Sequence, residues 1–432
     1  MILSKKLTNP LDRRSFVAGA AKTFLGVNVL SNISYGAGGE DRKIPFRKVP
    51  AKKVIYLYMA GGMSHLDTLD PKPNASSEFR GNLAAIKTSA DGVLVSEYLP
   101  RLAKHMDKVA VINSLHSKTG AHEQARYLMK TNYSKRGTIK HPHMGAWLLK
   151  YGNRINDQLP GFVSINSGSR SAGGGFFGVN CEPLILGKPE EGLQDSKHFA
   201  GTSESTFMRR RKLSQRIDRN FHAKYKDKSA SAYTAIYDEA VTLMSSSDLM
   251  AFDLSKESQS IRESYGDHSF GQGCLLARRL SESGVRSVEV QLGGWDTHVD
   301  NFQRVESNTA ILDQALSALL GDLNSSGMLD ETIVVLTTEF GRTPKINQNT
   351  GRDHYPKAFS TLLAGGGIKG GTVYGKTDKN GVEPIEDPVT IADFNATIAY
   401  GCGLPLDQRL FSPRARPFTV ANHGDPIKNL YN

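Results

Sequence analysis

Imidazole and carboxylate side chains recur at fixed places in this 432-residue chain, each just past an apolar run. Gly61 and Gly62 are followed by Ser64, His65 and Asp67. Gly293 and Gly294 are followed by Asp296 and His298. The run ending at Thr338 is followed by Glu339, Arg342, Asp353 and His354, and Thr119 and His122 come after a fourth run. Carboxylate and imidazole in these numbers are ligands for a divalent ion, with zinc, manganese and calcium not distinguished by residue type. Asp296 and His298 form the most specific pair, because alternate residues of an extended or turn segment project to one side and could grip one ion. Any of these groups taken singly has an ordinary alternative as a helix cap or a solvated loop residue.

Such residues do chemistry together only if regular elements bring them together. Apolar, β-branched runs at 54–60, 109–113, 162–165, 285–292, 332–338 and 359–364 read as strands. Helical composition at 123–130, 144–151, 267–283, 308–323 and 387–404 alternates with them. That order predicts a mostly parallel mixed sheet flanked by helices, with ligands bound beyond the carboxyl ends of the strands. Thr119 and His122 then sit at a strand-to-helix turn, where free N–H groups and the helix dipole favour an anion; capping by Thr119 is the other reading. His141 and His143 flank Pro142 before a helix, as metal ligands or as a helix-start cap. The polar, basic stretch 203–247 reads as an inserted helical pair. The Gly/Ser-rich stretch 167–178 lacks the spacing of a phosphate-binding loop.

The amino-terminal end belongs to another layer of organisation. Arg13 and Arg14, with Phe16 and a weakly apolar Ala/Gly-rich stretch behind them, read as a twin-arginine export signal over 1–37. A linker over 38–52 and one α/β domain over 53–432 follow, so the expected location is the bacterial periplasm or another exported compartment. No apolar run of about 18 residues occurs outside the amino terminus, which argues against a stable membrane span. The net charge of +11 is dispersed, includes five cations of the signal segment, and comes with no nucleic-acid motif. Nucleic acid is therefore not an expected partner. Cys181, Cys274 and Cys402 have no C-x-x-C spacing, which leaves buried thiols or at most one bridge.

The segments MAGGMSHLDTLDPKP, GGWDTH, LDETIVVLTTEFGRTP and GRDHYP resemble the exported bacterial proteins of the domain of unknown function 1501 family. That family is similar to the alkaline-phosphatase-like superfamily of phosphatases, sulfatases and phosphoglycerate mutases, and the resemblance covers 53–404. It implies a three-layer α/β sandwich with Asp296, His298 and His354 as metal ligands. Glu339 stands where the superfamily has the acid of an Asp-His-Gly motif, and Phe340 replaces its histidine. Met59, Ala60 and Gly61 replace the acidic ligand at the first strand end, leaving His65 or Asp67 as substitutes. The nucleophile position falls to Thr119 or His122, and Arg342 is expected to hold an anionic group. What the resemblance implies is metal-dependent hydrolysis of a phosphate or sulfate ester at a one-metal or altered site. The alternative is an exported, non-catalytic binding or assembly protein for a partner such as an anionic polysaccharide.

Overall fold

Lys53–Met59 (β1) is buried at every position, and its two faces enter different cores. Ile55, Leu57 and Met59 point into one apolar cluster, while Val54, Tyr56 and Tyr58 point into another. A strand covered on both sides must lie inside a sheet. The computed structural model describes residues 45–168, 172–194, 196, 201–225 and 228–432. The segment read as an export signal, 1–37, lies outside the described residues, as do 38–44 of the linker.

The remaining strands of the main sheet are Val109–His116 (β2), Phe162–Ile165 (β3), Leu184–Leu186 (β4), Ser287–Leu292 (β5), Thr332–Thr337 (β6), Phe359–Gly365 (β7), Thr372–Tyr374 (β8) and Val389–Thr390 (β9). Their order is β8-β2-β7-β6-β1-β5-β3-β4, with β9 paired to β2 beside β8. Within this sheet only β7 runs antiparallel to its neighbours, β2 and β6; the other pairings of the sheet are parallel. This is the mostly parallel mixed sheet predicted from the strand and helix order.

The longer helices are His122–Thr131 (α1), Met144–Gly152 (α2), Glu204–Tyr225 (α3), Lys228–Met244 (α4), Ser269–Glu282 (α5), Asn301–Ser325 (α6) and Ile391–Gly401 (α7). On one face of the sheet, Leu275, Leu276 and Leu280 of α5 meet Leu312, Leu316, Leu319 and Leu323 of α6. Met129 of α1, Trp147 and Leu148 of α2, and Phe394 and Ile398 of α7 fill the other. Helices on both faces make a three-layer α/β sandwich, as the resemblance implied.

Two differences from the sequence reading have physical causes. β2 runs three residues past 113, so Ser114 and His116 are strand residues, because β9 pairs with Leu115 and His116. That partner lies some 270 residues away, so no local pattern marks the extension. α6 starts at Asn301, seven residues before the start at 308 read from sequence, after Asp300 turns the backbone into the left-handed region at φ 49°. Cys181, Cys274 and Cys402 are all buried free thiols.

Candidate metal centre

Four chain segments converge beyond the carboxyl ends of β1, β2, β5 and β6. His122 is the first residue of α1, delivered by the turn after β2. Asp296 and His298 follow β5, and Glu339 follows β6 by one residue's gap. His354 is placed by a two-residue antiparallel pairing in which it lies opposite Arg342 and Tyr355 lies opposite Gly341. This small ribbon folds the long loop after β6 back over the strand end that carries Glu339. Gly61, at the end of β1, has φ +123°, and a Cβ there would sit 2.5 Å from the Asp296 nitrogen. Only glycine allows the first strand's turn to lie so close against the Asp296 loop.

Each of the three histidines has one ring nitrogen held. His122 Nδ1–H donates to Glu339 Oε1 at 2.8 Å, His354 Nδ1–H donates to the Gly120 carbonyl at 2.8 Å, and His298 Nδ1–H donates to Asp353 Oδ1 at 2.7 Å. With Nδ1 as donor in every case, the neutral rings present Nε2 lone pairs, and these face one another and Asp296. His298 Nε2 lies 3.0 Å from His354 Nε2. Asp296 Oδ1 lies 3.1 Å from His298 Nε2 and 3.3 Å from His354 Nε2, and its Oδ2 lies 3.4 Å from His122 Nε2. His122 Nε2 is buried and has no hydrogen-bond partner among the described residues.

Lone pairs and a carboxylate at such separations repel unless a cation or added protons lie among them. A tetrahedral ion with bonds of about 2.0–2.1 Å holds neighbouring ligand atoms about 3.3 Å apart, and the observed spacings bracket that figure. The ligand atoms of His122, Asp296 and His354 all fall within 4.8 Å of one another, and His298 Nε2 adjoins two of those three residues. The donor set, all imidazole nitrogen and carboxylate oxygen, fits a divalent ion. An acceptor on the far ring nitrogen of each histidine is the arrangement that fixes ligand orientation in metal sites.

The supporting charges are arranged to keep the centre anionic. Burial pushes the Asp296 carboxyl up, but the Arg342 guanidinium outweighs it, and the group falls to about 2. Glu339 is buried too, which raises it, yet hydrogen bonds from His122 and Tyr58 hold it below its ordinary value. The Tyr58 hydroxyl donates to Glu339 Oε2 at 2.8 Å and the Gly61 N–H donates to Oε1 at 3.0 Å. Glu339, expected to be a ligand, thus has both oxygens committed and reaches the centre through His122. His354 is lowered by burial, then by Arg342, which keeps it neutral and available.

Several expected residues take other positions. Arg342 is fully buried, and its guanidinium donates to the carbonyls of Gly62, Arg352 and Gly61 and to Asp296. It locks Asp296 rather than presenting a free fork to a substrate. Asp67 is fully buried and accepts from Arg352 Nε at 2.8 Å, Arg352 Nη2 at 2.9 Å and Asn301 Nδ2 at 2.9 Å. His65 is buried with Nε2 2.8 Å from the Gly381 carbonyl. Asp67 buttresses the 341–354 loop from behind through Arg352 and does not enter the cluster of imidazoles; nor does His65. Thr119 is half-buried on the turn before α1, where its hydroxyl accepts from the Ala121 N–H at 3.3 Å. His143 caps α2 through Nδ1, which accepts from the Gly145 N–H at 2.9 Å, and its Nε2 lies 3.0 Å from Glu289. His141 bonds the Tyr127 hydroxyl, so this pair of histidines serves two separate structural contacts.

Tyr58 and the Gly120 carbonyl, which help to orient the imidazole cluster, were not chosen from sequence, and Asp353 was singled out there without a role of its own. Asp353 sits beside His354 in the motif and was within reach of sequence reasoning. A tyrosine in an apolar strand reads as core, and a backbone carbonyl leaves no sequence signal.

The model of the family described as protein of unknown function (DUF1501) matches residues 51–431. No curated protein matches the chain. Among solved structures it is similar to the PsFucS1 sulfatase from Pseudoalteromonas sp., at 12% identity over 88% of this chain and 72% of that one, with a TM-score of 0.40. It is also similar to the phosphonate monoester hydrolase SpPMH from Silicibacter pomeroyi, at 12% identity over 88% and 76%, TM-score 0.35. A third likeness is to the C-terminal periplasmic domain of EcEptC from Escherichia coli in complex with Zn, at 9% identity over 88% of each chain, TM-score 0.36. All three scores are low, and the chemistry of this centre rests on its own residues.

Proposed function

The chain belongs to the DUF1501 family of proteins of unknown function, and from that premise we propose that it is a metal-dependent hydrolase of phosphate or sulfate esters. The observation that carries this reading is the convergence of His122, His298 and His354 Nε2 on Asp296, with every Nδ1 held by an acceptor. His122, Asp296, His298 and His354 would hold the ion. When bound, it would supply Lewis-acid polarisation of the ester and a more acidic water at neutral pH.

The chain's own groups favour an anionic substrate. His122 opens α1, a ten-residue helix whose N-cap, Ala121, has no side-chain cap, so its first N–H groups and its positive dipole end lie at the centre. Arg342 holds Asp296 ionised and in place, and Glu339 with Tyr58 holds the His122 ring. Thr119, two residues from the Ala121 cap and half-buried, is the hydroxyl of this turn that we assign as the nucleophile.

The test is hydrolysis of an aryl phosphate and an aryl sulfate by the EDTA-treated chain, before and after addition of zinc, manganese or calcium chloride. The expected result is turnover of at least one ester that depends on the ion and falls more than about 100-fold in Asp296→Asn. Absence of ion-dependent turnover on both esters would leave the non-catalytic binding protein as the reading.

A further inference from the structure

Two adjoining cavities, of about 210 and 290 Å³, lie between the segment after α1 and the hairpin formed by Leu410–Phe411 and Pro417–Phe418. Among the described residues, no Asp or Glu lines either one. Five cations do: Lys140, Arg414 and Arg416 in the first, and Arg136 and Arg409 in the second. All five are exposed, and among the described residues none forms an ion pair or a side-chain hydrogen bond. Some exposed cations elsewhere find acids, as Lys52 does with Glu331 and Lys376 with Glu386, and others, such as Arg209, Arg210, Arg216 and Arg219 on α3, are likewise unpaired among the described residues. The recess differs in gathering five of them around two cavities with no acid among the described lining residues. A run of unpaired, mutually repelling cations in one recess stores a binding potential for anions.

The wall between the cavities is aromatic. Phe176 lines one and Phe418 the other, with ring centroids 5.1 Å apart. Tyr133 stacks on His141 at 4.6 Å, and both meet Phe418 edge-on. His141 adds a directed donor. The Tyr127 hydroxyl accepts from the His141 backbone N–H at 2.7 Å, so its own proton goes to Nδ1 at 2.8 Å and the ring proton sits on Nε2. Burial and the nearby Arg136 lower this imidazole to about 4, so it remains a neutral donor near neutrality.

We propose that this recess is a second binding site, for an anionic saccharide carrying sulfate or phosphate groups, separate from the metal centre. Cations in two cavities divided by a ring pair suit anionic groups on successive sugar units, with an apolar sugar face against Phe176 and Phe418. A lipid headgroup has no use for the aromatic wall, and the cavities carry no acceptor carboxylate or amide pair arranged to read a base edge among the described lining residues. α1 separates the two sites: His122 begins it and Asn132 closes it, a span of about 15 Å at 1.5 Å per residue. Binding here requires neither ion nor turnover, so it stands apart from the hydrolase reading.

The experiment is calorimetric titration of the full chain, in EDTA at physiological salt, with a heparin-derived hexasaccharide and with its desulfated counterpart. Vesicles of phosphatidylcholine with phosphatidylglycerol and a single-stranded oligodeoxynucleotide serve as the other polyanions. The sulfated hexasaccharide should bind, the desulfated one should not, and R136Q/R409Q/R414Q/R416Q should weaken binding about tenfold or more. A control with the same loss of charge on exposed positions of α3, R209Q/R210Q/R216Q/R219Q, should bind like wild type. Equal weakening by the two quadruple variants, no weakening by the first, or tighter binding of vesicles or oligonucleotide through the same arginines would each overturn the proposal.

Discussion

Three imidazoles facing one carboxylate are informative because each ring's other nitrogen is already committed. Glu339, Asp353 and the Gly120 carbonyl determine which nitrogen of His122, His298 and His354 carries the proton, and so which one is free to bind an ion. Glu339→Gln keeps the shape but lets the amide present N–H where His122 needs an acceptor. The expected outcome is a zinc affinity lower by about 10–100-fold with the fold retained, read from competition with a chromophoric chelator; unchanged affinity would remove Glu339 from the orienting role. At this scale the sequence was legible for side chains that meet in the cluster and illegible for those that hold them in place. Asp296, His298 and His354 follow glycine turns or a strand in a spacing that marks them. His65 and Asp67 occupy an equally suggestive motif, yet Asp67 is claimed by Arg352 and Asn301 and His65 by a carbonyl near 381. Arg352 lies far from Asp67 in the chain, so no local pattern announces the pair.

Strands and helices set the limits within which those side chains move. β5 shows how. Its alternation of Val288, Val290 and Leu292 with Ser287, Glu289 and Gln291 reads as a strand from sequence, and so it is, but Glu289 is fully buried. Lys130 of α1 reaches it at 2.7 Å and His143 of α2 at 3.0 Å, so both helices are pinned to the sheet by one buried carboxylate. Burial raises this carboxyl, but Lys130 and His143 pull it down from 4.5 to about 2. A depressed carboxyl stabilises the fold fully above about pH 4.5, and that contribution is lost as the pH falls toward 2. Glu289→Gln leaves Lys130 buried without its counter-charge, at a cost of about 3–5 kcal/mol at neutral pH. Urea titrations at pH 7 and pH 3 should show a wild-type loss of stability between the two that is smaller in the variant. Parallel losses would mean that Glu289 is not the group being titrated.

Across the whole molecule, the sheet with a core on each face was readable because the elements alternate and their apolar periods are clean. The short strands β8 and β9 were not, since each exists only by pairing with β2. The fold does not hang on the ion: dozens of fully buried apolar side chains fill the two cores, unlike a zinc finger that is unfolded without metal. The centre nevertheless joins α1, the loop after β5 and the ribbon before β7. An ion that binds only the folded chain should stabilise it by about 2.7 kcal/mol at a free concentration of about 100 times Kd. Thermal unfolding in EDTA should therefore remain cooperative, with Tm rising by several degrees on zinc addition and returning on chelation. Loss of cooperativity in EDTA would show that the metal is part of the fold itself.

The central claim is that His122, Asp296, His298 and His354 hold one divalent ion. The direct measurement is isothermal titration of the metal-stripped chain with zinc chloride, alongside His298→Ala and His354→Ala, each checked for an unchanged far-ultraviolet circular dichroism spectrum. The account predicts one ion per wild-type chain and a loss of affinity in both variants larger than the about 10–100-fold that removal of an orienting partner costs. Zinc uptake by the two folded variants with wild-type stoichiometry and affinity would contradict it.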